Sequence, residues 1–183
     1  MKNLVGRERG GERVPKNLRM RWMRPKEQGA WAELCFMARA MEERLAPSRP
    51  WADGRFDVGV DYKELRSRVQ VKSTVYKRRG ESYSLNVMGP GRSPYKDGEI
   101  DFVAVYLIPE DTWYIVPYDR MVGKNGRRCS IHFTVGAKRE KYGDCKEAFW
   151  LLRGEKGPGE KRGGEVPVSR GERELLRSLP HSL

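Results

Sequence analysis

An α/β sandwich, with a mixed central sheet flanked by helices, is the fold class this sequence predicts. Three observations predict it. A proline-led stretch near the start repeats apolar residues at helical spacing. Two runs, 56–61 and 65–74, flank a short polar turn and read as a hairpin. Further short apolar runs, separated by Gly and Pro, follow as additional strands before a second amphipathic stretch.

The elements follow in order. Residues 1–24 are rich in Arg, Lys and Gly without periodicity and are expected to form a disordered basic arm. Pro25 suits a first helical position, where its missing N–H leaves no bond unmade. The helix is expected over 26–45, with Trp31, Leu34, Cys35, Met37, Ala38 and Met41 forming its apolar face and Glu33 on the border. Residues 46–54 form turns and include a short edge strand. After the hairpin, 76–81 is a charged turn, 82–87 a strand and 88–98 a Gly/Pro-rich loop. Residues 101–108 and 112–116 are strands joined by Pro109-Glu110-Asp111. Residues 129–135 read as one more strand, and 142–152 as an amphipathic helix with Ala148, Phe149, Leu151 and Leu152 inward. One domain is therefore expected over 25–152, with a core at 25–119 and a strand/helix extension at 120–152. A flexible low-complexity tail, 153–183, follows it; its ERELLRSL segment is at most a transient helix.

Charge narrows the choice of partner. The 183-residue chain has a formal charge of +12 and a pI of about 9.8, which predicts a polyanionic partner. Residues 1–26 carry nine Lys/Arg against two Glu, and 120–152 carry eight against three acids, whereas 27–119 carry thirteen against fifteen. A near-neutral core between basic segments suits phosphate contacts around an acidic cation site. Three scattered cysteines (Cys35, Cys129, Cys145) contain no Cys-x-x-Cys pair and predict a reducing compartment. The two histidines, His132 and His181, are too few for a zinc site or a His-based triad. No apolar run reaches signal-peptide or membrane-spanning character, so a cytoplasmic protein without membrane contact is expected.

The chemistry is concentrated in the hairpin. Side chains two apart on a strand share a face, so Gln70 and Lys72 point the same way with Val71 buried behind them. A turn centred on Lys63 and Glu64 brings Asp57 opposite Val69 or Gln70. A carboxylate and an amide oxygen then meet beside an ammonium. Hard divalent cations take oxygen ligands and keep several waters; the lysine can orient or deprotonate one of them. That is a phosphodiester-cleaving site in outline. Asp61 lies too far along the ladder to replace Asp57, Asp53 is expected to cap a turn, Glu99 to lie on the surface, and Asp101 to flank a later strand.

Asp57 followed by Gln70-Val71-Lys72 resembles the Asp…(Glu/Gln)-x-Lys signature of the PD-(D/E)XK nucleases. KEQGAWAE, QVKST, YSLNV and EIDFVAVYLIPEDTWYIVP, in that order, are similar to the PD-(D/E)XK endonucleases associated with bacterial group I introns. The resemblance covers about residues 25–152. It implies a restriction-endonuclease-like fold and Mg²⁺-dependent hydrolysis of double-stranded DNA, with Mn²⁺ as a substitute. It also implies a homodimer or homotetramer and a role in intron homing. Asp57, Gln70 and Glu33 would hold the metal, and Lys72 would act on the nucleophile. Phe56 stands where the signature often has proline. Gln70 stands where many members have Glu and brings no charge, so the site depends more on Asp57 and Glu33. Lys26, Lys77, Arg78, Arg79, Arg127 and Arg128 are expected to grip phosphates, which positions DNA without reading sequence. Trp22, Trp51, Trp113 and Trp150 are expected to pack rather than to stack on bases. A junction-resolving or restriction-type nuclease, or an inactive nucleic-acid-binding protein, are the alternatives.

Overall fold

Pro25 opens a helix, α1 (Pro25–Glu42), and the Glu27 carboxylate accepts a hydrogen bond from the Arg24 N–H at 2.9 Å, closing its first turn. The structure, a computed structural model, describes residues 23–51, 54–78, 82–123, 126–127 and 130–157. Trp22, Asp53, Arg79, Arg128, Cys129, nearly all of the expected arm and most of the expected tail lie outside the described residues. α1 ends where Arg44 takes a left-handed backbone (φ 61°).

Among the described residues nine strands follow: β1 (Ala46–Ser48), β2 (Val58–Tyr62), β3 (Leu65–Thr74), β4 (Ser82–Asn86), β5 (Phe102–Leu107), β6 (Thr112–Pro117), β7 (Val122–Gly123), β8 (Gly126–Arg127) and β9 (Ser130–Thr134). β1-β2-β3-β5-β6 form one sheet. β3 and β5 are parallel and every other pair is antiparallel, so the sheet is mixed as expected. β4 pairs with β9, and β7 with β8, in two small separate sheets. The β2–β3 register pairs Tyr62 with Leu65, leaving a two-residue turn of Lys63 and Glu64 in which Lys63 has φ 53°.

Alternation along the strands builds two cores. Val69 and Val71 of β3 and Ala104 and Tyr106 of β5 face α1 with Val58, Val60 and Phe36. Val103, Val105 and Leu107 face the opposite way, where Tyr83, Leu85, Ile131 and Phe133 of the β4–β9 sheet cover them. One layer is thus a helix and the other a small sheet.

Two expectations need correction. The buried stripe of α1 is Ala32, Phe36 and Ala40; Trp31, Cys35 and Met37 flank it, and Leu34 and Met41 are exposed. Apolar residues surround most of this helix, so spacing alone does not choose the stripe. Alanines on either side of Phe36 let the helix approach the sheet closely, and that decides it. Residues 142–152 form two short 3₁₀ turns, Gly143–Cys145 and Phe149–Arg153, rather than a helix. Glu147 interrupts them with φ 49°, its N–H donating to the Trp113 carbonyl at 2.8 Å. Phe149 and Leu152 are buried as expected, so the amphipathic pattern survives without the helix.

Candidate active site

β3 outruns β2, and the site occupies the resulting step. Val58 pairs with Val69, so from Gln70 to Thr74 that edge of β3 has no partner in β2. An open cleft of about 440 Å³ forms there, lined among others by Glu33, Asp57, Gln70, Lys72, Ser73 and Tyr76. α1 supplies one wall. Gln28 on that helix donates to the Ser73 hydroxyl at 3.2 Å, which fixes helix against strand.

Asp57, just ahead of β2, is anchored through its backbone and its side chain. Its N–H donates to the Val69 carbonyl at 3.0 Å, and its Oδ2 accepts the Val71 N–H at 2.8 Å. The same Oδ2 accepts from the Gln70 amide nitrogen. Among the described residues nothing donates to Oδ1. Burial pushes the Asp57 carboxyl above its usual range, and the charge of Glu33 adds to that rise. The Val71 N–H, the Lys72 charge and the Gln70 amide oppose it without overcoming it.

The predicted trio therefore converges. Gln70 is buried (5% exposed), and its Oε1 accepts the Tyr95 hydroxyl at 2.8 Å. Lys72 is half-buried at the cleft, and among the described residues its ammonium makes no hydrogen bond or ion pair. Glu33 reaches the same cleft from α1, but its carboxylate is engaged by Arg49. Among the described residues no three His, Cys, Asp or Glu side chains converge as a cage. The oxygen donors are two carboxylates and one amide. That set fits Mg²⁺, which binds through one or two carboxylates and keeps much of its water, better than a metal that needs nitrogen or sulfur ligands.

The rejected acids are occupied elsewhere. Asp61 pairs with Arg66 across the ladder at 3.5 Å, and Glu99 faces Arg55 at 3.6 Å. Asp101 is held by Arg68, whose Nε and guanidinium NH2 donate at 3.0 and 2.8 Å. The basic residues are dispersed. Lys26 is exposed in the first turn of α1, and Arg78 is exposed and bridged through its backbone to Ser82. Lys77 pairs with Glu110 at 3.2 Å and lies over the Tyr83 ring. Arg127 belongs to β8. Of the tryptophans, Trp113 is buried, Trp150 is half-buried, and Trp51 is wholly exposed, against expectation. Trp51 lies beyond the last β1 residue, where neither core reaches it.

Sequence reasoning missed Tyr95, Arg49 and Tyr76. Tyr95 and Arg49 lie in turn-rich segments where no periodicity marks a side chain that points inward. Tyr76, in the expected charged turn, is 71% exposed yet lines the cleft.

A family model described as PD-(D/E)XK endonuclease matches residues 23–148, spanning both the cleft and the sheet behind it. No curated protein matches the chain by sequence. Among solved structures, the bacterial homing endonuclease I-Ssp6803I superposes with a TM-score of 0.56 at 20% identity, covering 68% of this chain and 90% of that one. The Holliday junction resolvase Hjc of Archaeoglobus fulgidus gives a TM-score of 0.38 at 14% identity, over 57% of this chain and 83% of that one. The first likeness is one of fold.

Proposed function

The chain belongs to the PD-(D/E)XK endonuclease family and is a nuclease, a hydrolase of phosphodiester bonds; within that family we propose that it is a Mg²⁺-dependent endonuclease of double-stranded DNA, of the intron-homing kind. The observation that carries this reading is the convergence of Asp57, Gln70, Lys72 and Glu33 on one open cleft at the step of the sheet. A cleft open on one side admits a duplex backbone. Cutting both strands at one place requires two such sites, which suggests a homodimer or homotetramer.

Asp57, the Gln70 amide and Glu33 would hold the cation. When bound, the cation supplies charge stabilisation at the phosphate and a more acidic water. The rest is the work of this chain's own groups. The Val71 N–H fixes the Asp57 carboxylate through Oδ2, and among the described residues Oδ1 has no donor. Release of Glu33 from Arg49 frees a second carboxylate. As a water oxygen attacks phosphorus and an ester oxygen departs, negative charge gathers on the phosphate oxygens. Lys72, an unbonded cation at that point, offsets it. Lys26 and Arg78 are exposed and would meet flanking phosphates, and affinity should fall steeply with salt.

The direct test is incubation of plasmid carrying candidate target sites with purified protein and Mg²⁺. Lys72→Ala is expected to slow cleavage on the order of a hundred- to a thousandfold. Lys72→Arg, which keeps the charge, should recover part of that loss. Equal cutting by Lys72→Ala and wild type removes the assignment, and preference for four-way junctions over linear duplex removes the homing role.

A further inference from the structure

We propose that Tyr95 is a positioning residue of the cation site, a hydroxyl that holds the Gln70 amide in either of its two orientations and so lets it turn from carboxylate partner to cation ligand. This inference rests on the reading of Asp57 and Gln70 given above.

Gln70 and Tyr95 are 5% and 4% exposed, so neither end of the amide can rely on solvent. As the site stands, Nε2 donates to Asp57 Oδ2 and Oε1 accepts from the Tyr95 hydroxyl at 2.8 Å. That orientation presents N–H groups to the carboxylate and no lone pair to a cation held there. Rotation about the last side-chain bond exchanges the two atoms. Oε1 then lies beside Asp57, and Nε2 lies against Tyr95. A hydroxyl both donates and accepts, whereas a carbonyl, an ammonium or a carboxylate does only one of these. The bond to Tyr95 therefore survives the exchange with its direction reversed. Phenylalanine at 95 would strand one end of a buried amide in both orientations.

Three contacts from two neighbours hold Tyr95. The Tyr118 hydroxyl donates to the Tyr95 carbonyl at 3.2 Å, and the two rings meet edge to face with centroids 6.0 Å apart. Gly89 admits the third contact: a Cβ there would stand 3.3 Å from the Tyr95 ring. Tyr95 lies in the Gly/Pro-rich loop that connects the second core to the site.

The test uses the 183-residue chain as wild type, Tyr95→Phe, Gln70→Ala and the double variant, with Mn²⁺ binding read by calorimetry on a DNA duplex. Tyr95→Phe is expected to weaken Mn²⁺ binding about ten- to a hundredfold, the usual range for a group that orients a metal ligand. DNA affinity in chelator should not move. In the Gln70→Ala background the same change should do nothing further. Wild-type Mn²⁺ affinity in folded Tyr95→Phe, or a full additive loss in the double variant, overturns the proposal. A second measurement needs no variant: on adding Mg²⁺, the Gln70 side-chain amide protons should gain nuclear Overhauser contacts to the Tyr95 ring. Unchanged contacts overturn it equally. If Asp57→Ala binds Mn²⁺ as wild type does, the cation site itself is misassigned and both readings fall; if Asp57→Ala abolishes binding while Tyr95→Phe is silent, only the role of Tyr95 falls.

Discussion

Asp57 and Asp101 are placed alike on the two sides of β3 and have opposite fates. Each sits just ahead of a strand that flanks β3. Each gives its own N–H to a β3 carbonyl, Asp57 to Val69 at 3.0 Å and Asp101 to Arg68 at 2.8 Å. Each accepts a β3 N–H on its Oδ2, from Val71 at 2.8 Å and from Arg68 at 2.7 Å. The difference lies in the side chains that β3 presents. Asp101 meets a guanidinium fork that satisfies both its oxygens, and the same contact raises the Arg68 pKa. Asp57 meets a neutral amide and an unbonded lysine, and burial keeps its carboxyl reluctant to ionise. The same backbone arrangement therefore yields a clamp on one side and, on the other, a carboxylate without a cationic clamp, the one proposed to seat the cation. A carboxylate whose charge is already met has nothing left for a metal.

This contrast can be broken by substitution. Asp57→Ala should reduce Mg²⁺-dependent plasmid cleavage on the order of a hundred- to a thousandfold, with the fold retained by circular dichroism. Asp101→Ala should cleave at nearly the wild-type rate per folded molecule. A comparable loss of cleavage in both variants would erase the distinction. The stability effect is reversed: Asp101→Ala strands the half-buried Arg68 and should cost about 2 kcal/mol in urea unfolding, reduced from the value for a fully buried pair by partial exposure.

Titration sharpens the same comparison. On the proposed reading a cation binds the ionised Asp57, and burial raises the folded-state pKa of that group above its ordinary value. Mn²⁺ affinity should therefore decline as pH falls through that raised value, beginning at a higher pH than for an ordinary aspartate. An affinity that stays flat until the ordinary carboxylate range is reached would contradict the burial argument. The smallest effect concerns stability without metal. A raised folded-state pKa means that Asp57 favours the fold at low pH and loses that benefit as pH rises through the folded-state value. Asp57→Asn should thus match or slightly exceed wild-type stability at neutral pH, and the difference should vanish in acid. A neutral-pH destabilisation measured by thermal melting would show that the carboxylate contributes to the fold rather than burdening it.

Much of this was legible in the sequence, for reasons that differ by residue. The hairpin was readable because its turn and its alternation agree: a bend at Lys63 and Glu64 brings Asp57 opposite Val69 or Gln70, and the observed register pairs the next residue, Val58, with Val69. The parity of Gln70 and Lys72 follows from the two-residue period of any strand. The stripe of α1 was not readable, because Leu34 and Met41 compete with Ala32, Phe36 and Ala40 on hydrophobicity alone. Nor was the break at Glu147, which a tertiary bond to Trp113 imposes on an otherwise helical pattern.

The sequence by itself determined the local geometry of the Asp57, Gln70 and Lys72 cluster and the amphipathic segments behind it, since both depend on short-range periodicity. Tertiary structure alone decided which acid remains available. Arg49 reaching Glu33 across 16 residues, Arg68 reaching Asp101 across 33 and Tyr95 reaching Gln70 across 25 are pairings between separate elements. Charge and hydrogen-bond satisfaction are properties of neighbours in space, and no spacing along the chain encodes them.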